Sequence, residues 1–427
     1  MSSTPDTAAQ ARAEKEGGRR WPGLRRIERG YWVAVVAFLS TGLSVGMTGY
    51  AFGAFVEPLE REFAWTRAQV NLAVSLGAIS GLASPLIGRI LDRVGARPVM
   101  VVSLVLVSIG FLLRAFIDEL WQLYVLSTVV AIGNSGATVL VAGRLVSLWF
   151  PKTRGRMMGI VTAGNNFGGL TMVPLAAMVI SFSGWRWGFA SFGILMAVLS
   201  VIAFVVIRDR PPEKHDGPGA APRQRAVLAG LTVRNALRTR SFYLLTAGIS
   251  AGSFTYSVVL TQLIPHLENE GLSRGAASAA LSVMAGFGLA SKLIFGRASE
   301  SLTARYAFIV SLAIQGAGLL LFVVAGGTPV VWLAVIVFGL GFGGMGALIP
   351  LTIAESFGMR AFGAIMGLVT MIGVAPQLIG PPVTGLLFAS TGSYSIAFLA
   401  VVAFFAAGCL ALWAARPPAR TEEVASR

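Results

Sequence analysis

The chain has 427 residues, of which 55% are hydrophobic and only 12% charged, with 51 glycines and a formal net charge of +15. A soluble domain carries about 25% charged residues. Half that fraction, spread over recurring apolar runs of roughly 20 residues, argues against an ordinary soluble enzyme and for a chain solvated mostly by lipid. The positive balance does not indicate nucleic acid, because the basic residues fall between the apolar runs rather than on an aromatic-rich basic domain.

Residues 1–30 contain seven basic residues and no apolar core, which excludes a cleavable signal peptide and predicts a disordered basic cytoplasmic tail. Twelve spans follow, at about 31–56, 68–90, 98–117, 121–148, 156–181, 187–207, 241–265, 274–296, 305–325, 330–356, 362–389 and 393–415. Each is long enough to cross about 30 Å of hydrocarbon as a helix. None alternates polar and apolar residues as a barrel strand would. The predicted fold is therefore all-α, with twelve transmembrane helices in two six-helix halves, 31–207 and 241–415. Between them, 208–240 is rich in Pro, Gly and charge and reads as a cytoplasmic linker with one surface helix near 224–239. Residues 416–427 form a second cytoplasmic tail.

Orientation follows from charge. With the N-terminus in the cytoplasm, 27 of the 34 Lys and Arg residues lie in cytoplasmic segments and four in outer loops, as the positive-inside rule requires. The expected place is thus the cell membrane, with both termini cytoplasmic. The remaining three, Arg114, Arg144 and Lys292, fall inside spans. The single cysteine, Cys409, and two histidines offer neither a disulfide nor a metal cluster.

The halves repeat each other. "GLASPLIGRILDR" from Gly81 returns as "GLASKLIFGRASE" from Gly288, which sets Pro85 against Lys292 at an offset of 207. Gly88 matches Gly296, Gly155 matches Gly363, Gly159 matches Gly367, and Pro174 matches Pro382, all at 208. Two halves with the same inside–outside sense imply a duplication about an axis along the membrane normal.

"GRILDRVGARPVM" (88–100) resembles the loop between helices 2 and 3 of the major facilitator superfamily. "GYAFGAFVEPLEREFAWTRAQV" (49–70) and "LWFPKTRGRMMGI" (148–160) are similar to that superfamily's monocarboxylate-porter and oxalate–formate-exchanger branch. The likeness covers about 30–415 and implies a secondary transporter that works by alternating access. It also marks Gly88, Asp92, Arg93 and Arg97 as a conformational switch: Gly88 permits close helix contact, and Asp92 can hold a neighbouring helix end in one state and release it in another.

A charge in the bilayer costs about 2.5–3.5 kcal/mol on insertion scales and is a functional candidate. Lys292 sits where the exchanger branch places a carboxylate-binding cation, one turn before a glycine. Two readings stand for it, a substrate ligand or a lysine snorkelling to the cytoplasmic surface. Arg144 likewise divides between snorkelling and substrate contact, and Arg114 reads as an anchor at the outer interface. Tyr50 and Tyr256, at equivalent places in helices 1 and 7, divide between cavity and packing roles. Of Asn165 and Asn166 at least one should face protein or water. Gln262 and His266 share a face of helix 7, with His266 at the outer rim as a gate or solvated group. Gln377 is the one strongly polar side chain of 367–385. The glycine run 339–350 lacks the features of a phosphate loop and reads as helix packing. Pro376, Pro381 and Pro382 should bend helix 11.

Three departures from the branch narrow the reading. Helix 11 has no second cation, Gly288 stands where animal porters carry an aspartate, and no lysine occurs near Tyr50–Phe55. One buried cation balances one anionic charge, so the expected substrate is a small organic anion, a monocarboxylate. Symport with a proton and exchange for a counter-anion both stay open. Lipid is the other expected partner; no nucleic acid, metal or cofactor is expected, and the chain is expected to be a monomer. The alternative is a proton-coupled drug or cation exporter, which wants a carboxylate deep in a span; Glu57 and Glu355 lie near span ends. An enzyme is disfavoured for want of a nucleophile elbow, metal cluster or cofactor fingerprint.

Overall fold

The computed structural model describes residues 22–209, 229–269, 271–324, 328–391 and 393–416. Residues 1–21, 210–228 and 417–427, which hold most of the expected tails and linker, lie outside them. The first helix begins at Pro22, inside the segment expected as a tail. Of the expected linker helix, Val233–Leu237 is described.

The twelve expected spans correspond to helices α1 (Arg29–Tyr50), α2 (Arg67–Val94), α3 (Ala96–Arg114), α4 (Leu120–Trp149), α5 (154–183), α6 (185–206), α7 (240–269), α8 (Gly275–Leu302), α9 (Ala304–Val324), α10 (Pro329–Phe357), α11 (Phe362–Thr391) and α12 (Ser395–Ala414). In lipid every backbone group must find its partner within the chain, and helices of this length do so. α5 and α6 meet at Gly184, whose φ of +83° lies in the region that glycine adopts without strain. Large apolar side chains such as Phe182, Phe204 and Trp413 stand exposed, as a chain solvated by lipid requires.

Small residues set the helix spacing. A Cβ built on Gly168 of α5 would lie 1.8 Å from the Gly42 carbonyl oxygen of α1, so the two backbones touch. The glycine run of α10 is packing, as expected: a Cβ on Gly343 would fall 1.8 Å from the Gly288 carbonyl of α8.

α11 is broken between Ile372 and Val374. Pro376 has no N–H to offer the Ile372 carbonyl, so the ladder fails at that turn. Pro381 and Pro382 lie within the Val374–Thr391 segment without ending it, because surrounding helices can re-satisfy freed backbone groups in a bundle. Both halves also carry a π-helical turn in their first helix, Gly46–Tyr50 and Thr255–Val259.

The halves meet along two seams, α2 with α11 and α5 with α8. At the first seam a Cβ on Gly88 would sit 1.9 Å from the Gly363 carbonyl, and at the second a Cβ on Gly155 would sit 2.1 Å from the Gly296 carbonyl. These four glycines are the ones the repeat pairs, so one contact is the copy of the other. The contacts also correct the sequence register. A Cβ on Gly367 would strike the Ser84 carbonyl at 2.3 Å, and one on Gly159 would strike the Lys292 carbonyl at 2.4 Å. Lys292 therefore occupies the place of Ser84, not Pro85. Phe295 then stands opposite Ile87 at the same offset of 208, and the repeated Gly-Leu-Ala-Ser letters lie one position out of this structural register.

Candidate functional site

Lys292 lies on α8 and is 7% exposed. Its ammonium crosses the seam to α5, where it donates to the Thr162 carbonyl at 3.0 Å and to the side-chain oxygen of Asn166. Asn166 in turn donates its Nδ2 to the Ala285 carbonyl of α8 at 3.2 Å. A snorkelling lysine would place this nitrogen at the surface; here it points into the protein, against two neutral oxygens. Among the described residues no carboxylate pairs with it.

The other two intramembrane cations part from expectation. Arg144 does not reach a surface but pairs with a carboxylate. It is buried and donates to Asp92 Oδ1 at 2.6 Å. Asp92 also accepts from the backbone N–H groups of Gly363 at 2.9 Å and Ala364 at 2.8 Å. A carboxylate at a helix N-terminus meets unpaired N–H donors and the positive end of the helix dipole, so Asp92 fastens α11 to the first half. Arg114 is no interface anchor: it is 3% exposed and surrounded by aromatic rings.

The same fastening occurs a second time. Glu300, which stands 208 residues after Asp92, accepts from the backbone N–H of Arg156 at 2.9 Å and from its Nε at 3.0 Å. Glu300 thus holds the N-terminus of α5 as Asp92 holds that of α11. Sequence reasoning missed Glu300, although it closes the repeated phrase "GRASE" and answers the "GRILD" of the first copy. Glu355 adds a third clasp, accepting from Arg154 at 2.7 Å and from the Ala304 N–H at 2.9 Å. All three clasps lie on the face that carries the linker between α6 and α7. The outer-loop ion pairs Glu62 with Arg186 and Glu60 with Arg67 lie within the first half.

Of the predicted switch residues, Arg97 donates to the Phe204 carbonyl at 2.9 Å and lies over the Phe204 ring, while its backbone N–H reaches Asp209 at 2.8 Å. Arg93 is exposed. Of the predicted pocket residues, Tyr50 is 54% exposed and its ring covers Gly169 of α5. Asn165 is half-buried, and its side-chain oxygen is buried without a partner. Gln262 is half-buried and Gln377 exposed. The side chain of Tyr256 lies outside the described residues. The structure brings Lys292 and Asn166 together; it does not bring Arg144 or Gln377 to them. His266 is not at a solvated rim: it is 2% exposed, with ring centroids of Phe398 at 4.8 Å and Phe322 at 6.0 Å. Burial on a helix end was not visible in its sequence position, because the covering rings come from α9 and α12.

A duplicated twelve-helix bundle, clasped between its halves by carboxylates at helix N-termini, defines a membrane transporter of the two-bundle kind. The chain belongs to the Major Facilitator Superfamily, whose family description matches residues 37–376. It is similar to monocarboxylate transporter 11 of Homo sapiens, with 28% identity over 93% of this chain and 83% of that protein. Monocarboxylate transporter 6 of Mus musculus is 25% identical over 94% of this chain and 88% of its own length. Among solved structures, FucP in the outward conformation superposes with a TM-score of 0.70 at 16% identity, covering 92% of this chain and 99% of that one. The proton:xylose symporter XylE gives 0.71 at 13% identity, over 91% and 96%. These last two show the fold.

Proposed function

We propose that the chain is a secondary transporter of a small monocarboxylate, with Lys292 as the counter-ion. The observation that carries this reading is a buried ammonium in the seam between the halves, satisfied by two neutral oxygens rather than by a carboxylate. An arriving carboxylate offers that ammonium a charge-assisted hydrogen bond, roughly twice as strong as a neutral one. Because Thr162 and Asn166 belong to the opposite half, taking Lys292 from them also loosens the α5–α8 seam. Binding and the rearrangement of the halves then share one side chain.

The resemblance to relatives called monocarboxylate transporters supports the same substrate class. Asp92 in this reading is the releasable part of the latch, and Gly88 the point at which the halves close. With the linker face in the cytoplasm, as the charge distribution requires, the clasped state faces outward. A cation exporter gains no support: the half-buried carboxylates Asp92, Glu300 and Glu355 all serve the clasps.

Uptake of radiolabelled monocarboxylates into proteoliposomes tests the reading. Lys292→Ala should abolish uptake and Lys292→Arg should retain part of it. Undiminished uptake by Lys292→Ala removes Lys292 from the mechanism.

A further inference from the structure

Arg114, the last residue of α3, is buried at 3% exposure in the first half. Its guanidinium carbon lies 5.0 Å from the centroid of Phe111 and 5.7 Å from those of Phe52 and Phe189. Its one hydrogen bond among the described residues runs from Nη2 to Ser127 Oγ at 2.8 Å, and its Nε is buried without a partner. The guanidinium has five N–H donors to satisfy. Nearby carboxylates do not supply the balance. Asp118 is exposed and faces Arg186 at 3.7 Å, and Glu119 takes the Trp121 indole N–H at 2.6 Å.

Arg114 lines a partly open cavity of about 290 Å³ bordered by α1, α2 and α4. That is close to the lower end of the range for small-molecule pockets. The walls are part apolar, with Val45, Val74 and Val130, and part polar, with Ser80, Ser127 and Asn134. The Thr48 hydroxyl donates to the Ser44 carbonyl at 2.6 Å, so its oxygen accepts from Asn134 Nδ2 at 3.1 Å. That fixes the Asn134 amide and leaves its Oδ1 buried without a partner. An unbalanced planar cation, hydroxyls and a short apolar wall thus surround one space.

We propose that this cavity is a second anion site, taking a small monocarboxylate through Arg114, separate from Lys292. The flat guanidinium fork matches a carboxylate in two parallel hydrogen bonds, which a spherical halide cannot reproduce. A dianion would bring a second charge with no cation to meet it. Arg114 lies at the end of α3 away from the clasped face, so an anion arriving from that end meets it on the unclasped side. The site stands whether or not Lys292 is the transport cation.

Equilibrium binding of radiolabelled propionate to the full chain in lipid nanodiscs, in chloride-free sulfate buffer, tests this. The unsubstituted protein should bind two equivalents. Lys292→Ala should lose one, Arg114→Gln the other, and the double variant both. A folded Arg114→Gln protein that loses no equivalent overturns the proposal. Loss or retention at Lys292 bears on the transport reading alone. Chloride binding at Arg114 more tightly than propionate also overturns it, as a halide site. Should Arg114→Gln fail to fold, crystals of the unsubstituted protein in 3-iodopropionate decide: anomalous iodine signal in the α1–α2–α4 cavity supports the site, and none at saturation overturns it.

Discussion

A buried cation facing neutral oxygens and one facing a carboxylate respond differently when an anion arrives. Arg144 already holds Asp92 and has little charge left to offer, whereas Lys292 does. We therefore expect Arg144→Gln to leave propionate affinity within about twofold while lowering stability by about 2–3 kcal/mol, since removing one member of a buried pair strands the other. The two backbone N–H groups on Asp92 keep the loss at the low end of the usual range. Equilibrium binding and thermal unfolding of the same variant separate the two effects. In the outer loop, Arg186 and then Trp185 hold the Glu62 carboxyl below its ordinary 4.5. A carboxylate lowered in this way adds stability that is complete above the ordinary value and lost as pH falls through the lowered one. The difference in unfolding temperature between the unsubstituted protein and Glu62→Gln should be constant near neutrality and shrink in acid below 4.5. Lys292 could be singled out in the sequence because a charge in an apolar run is costly. The burial of Arg114 and His266 could not, because both sit near helix ends, where a sequence suggests water and the bundle supplies rings.

Helix ends carry the carboxylate clasps between halves. Asp92 on α11 and Glu300 on α5 each place a negative charge where a helix presents free N–H groups, an interaction worth about 0.3–2 kcal/mol. Asp92→Asn and Glu300→Gln should each move the balance of clasped and unclasped molecules by about fivefold, near 1 kcal/mol. Because the two clasps share no partner, their effects should add. Alkylation of a single cysteine placed in the clasped face, in a Cys409→Ser background, reads this balance. If either variant leaves the alkylation rate unchanged, its carboxylate does not hold that helix. The number and order of helices were legible because each must be apolar over a whole bilayer. The break in α11 was legible too, because Pro376 has no N–H for the Ile372 carbonyl; the π-helical turns Gly46–Tyr50 and Thr255–Val259 were not, since a hydropathy pattern does not record backbone geometry. Glu300 was legible in principle, from the offset that pairs Gly88 with Gly296.

At the scale of the molecule, the clasps Asp92–α11, Glu300–α5 and Glu355–Arg154 share one face, and the Lys292–Asn166 contact lies deeper in the α5–α8 seam. Two rigid bundles joined this way can open that face by rocking, or the helix ends there can simply fray. The two motions differ at the opposite end. α5 and α8 run antiparallel, so Lys152 and Leu302 mark the clasped face while Ser181 and Ser278 mark the other, and all four are exposed. Rocking of packed bundles ties the ends together: interiors pass between discrete arrangements rather than deforming. Spin labels at 152 and 302 should therefore move apart in the Asp92→Asn, Glu300→Gln double variant, while labels at 181 and 278 approach in the same fraction of molecules. Propionate should shift both distributions together if it draws Lys292 from α5. A lengthened 152–302 distance with an unchanged 181–278 distance would identify fraying and would remove the coupling of the two seams from the mechanism.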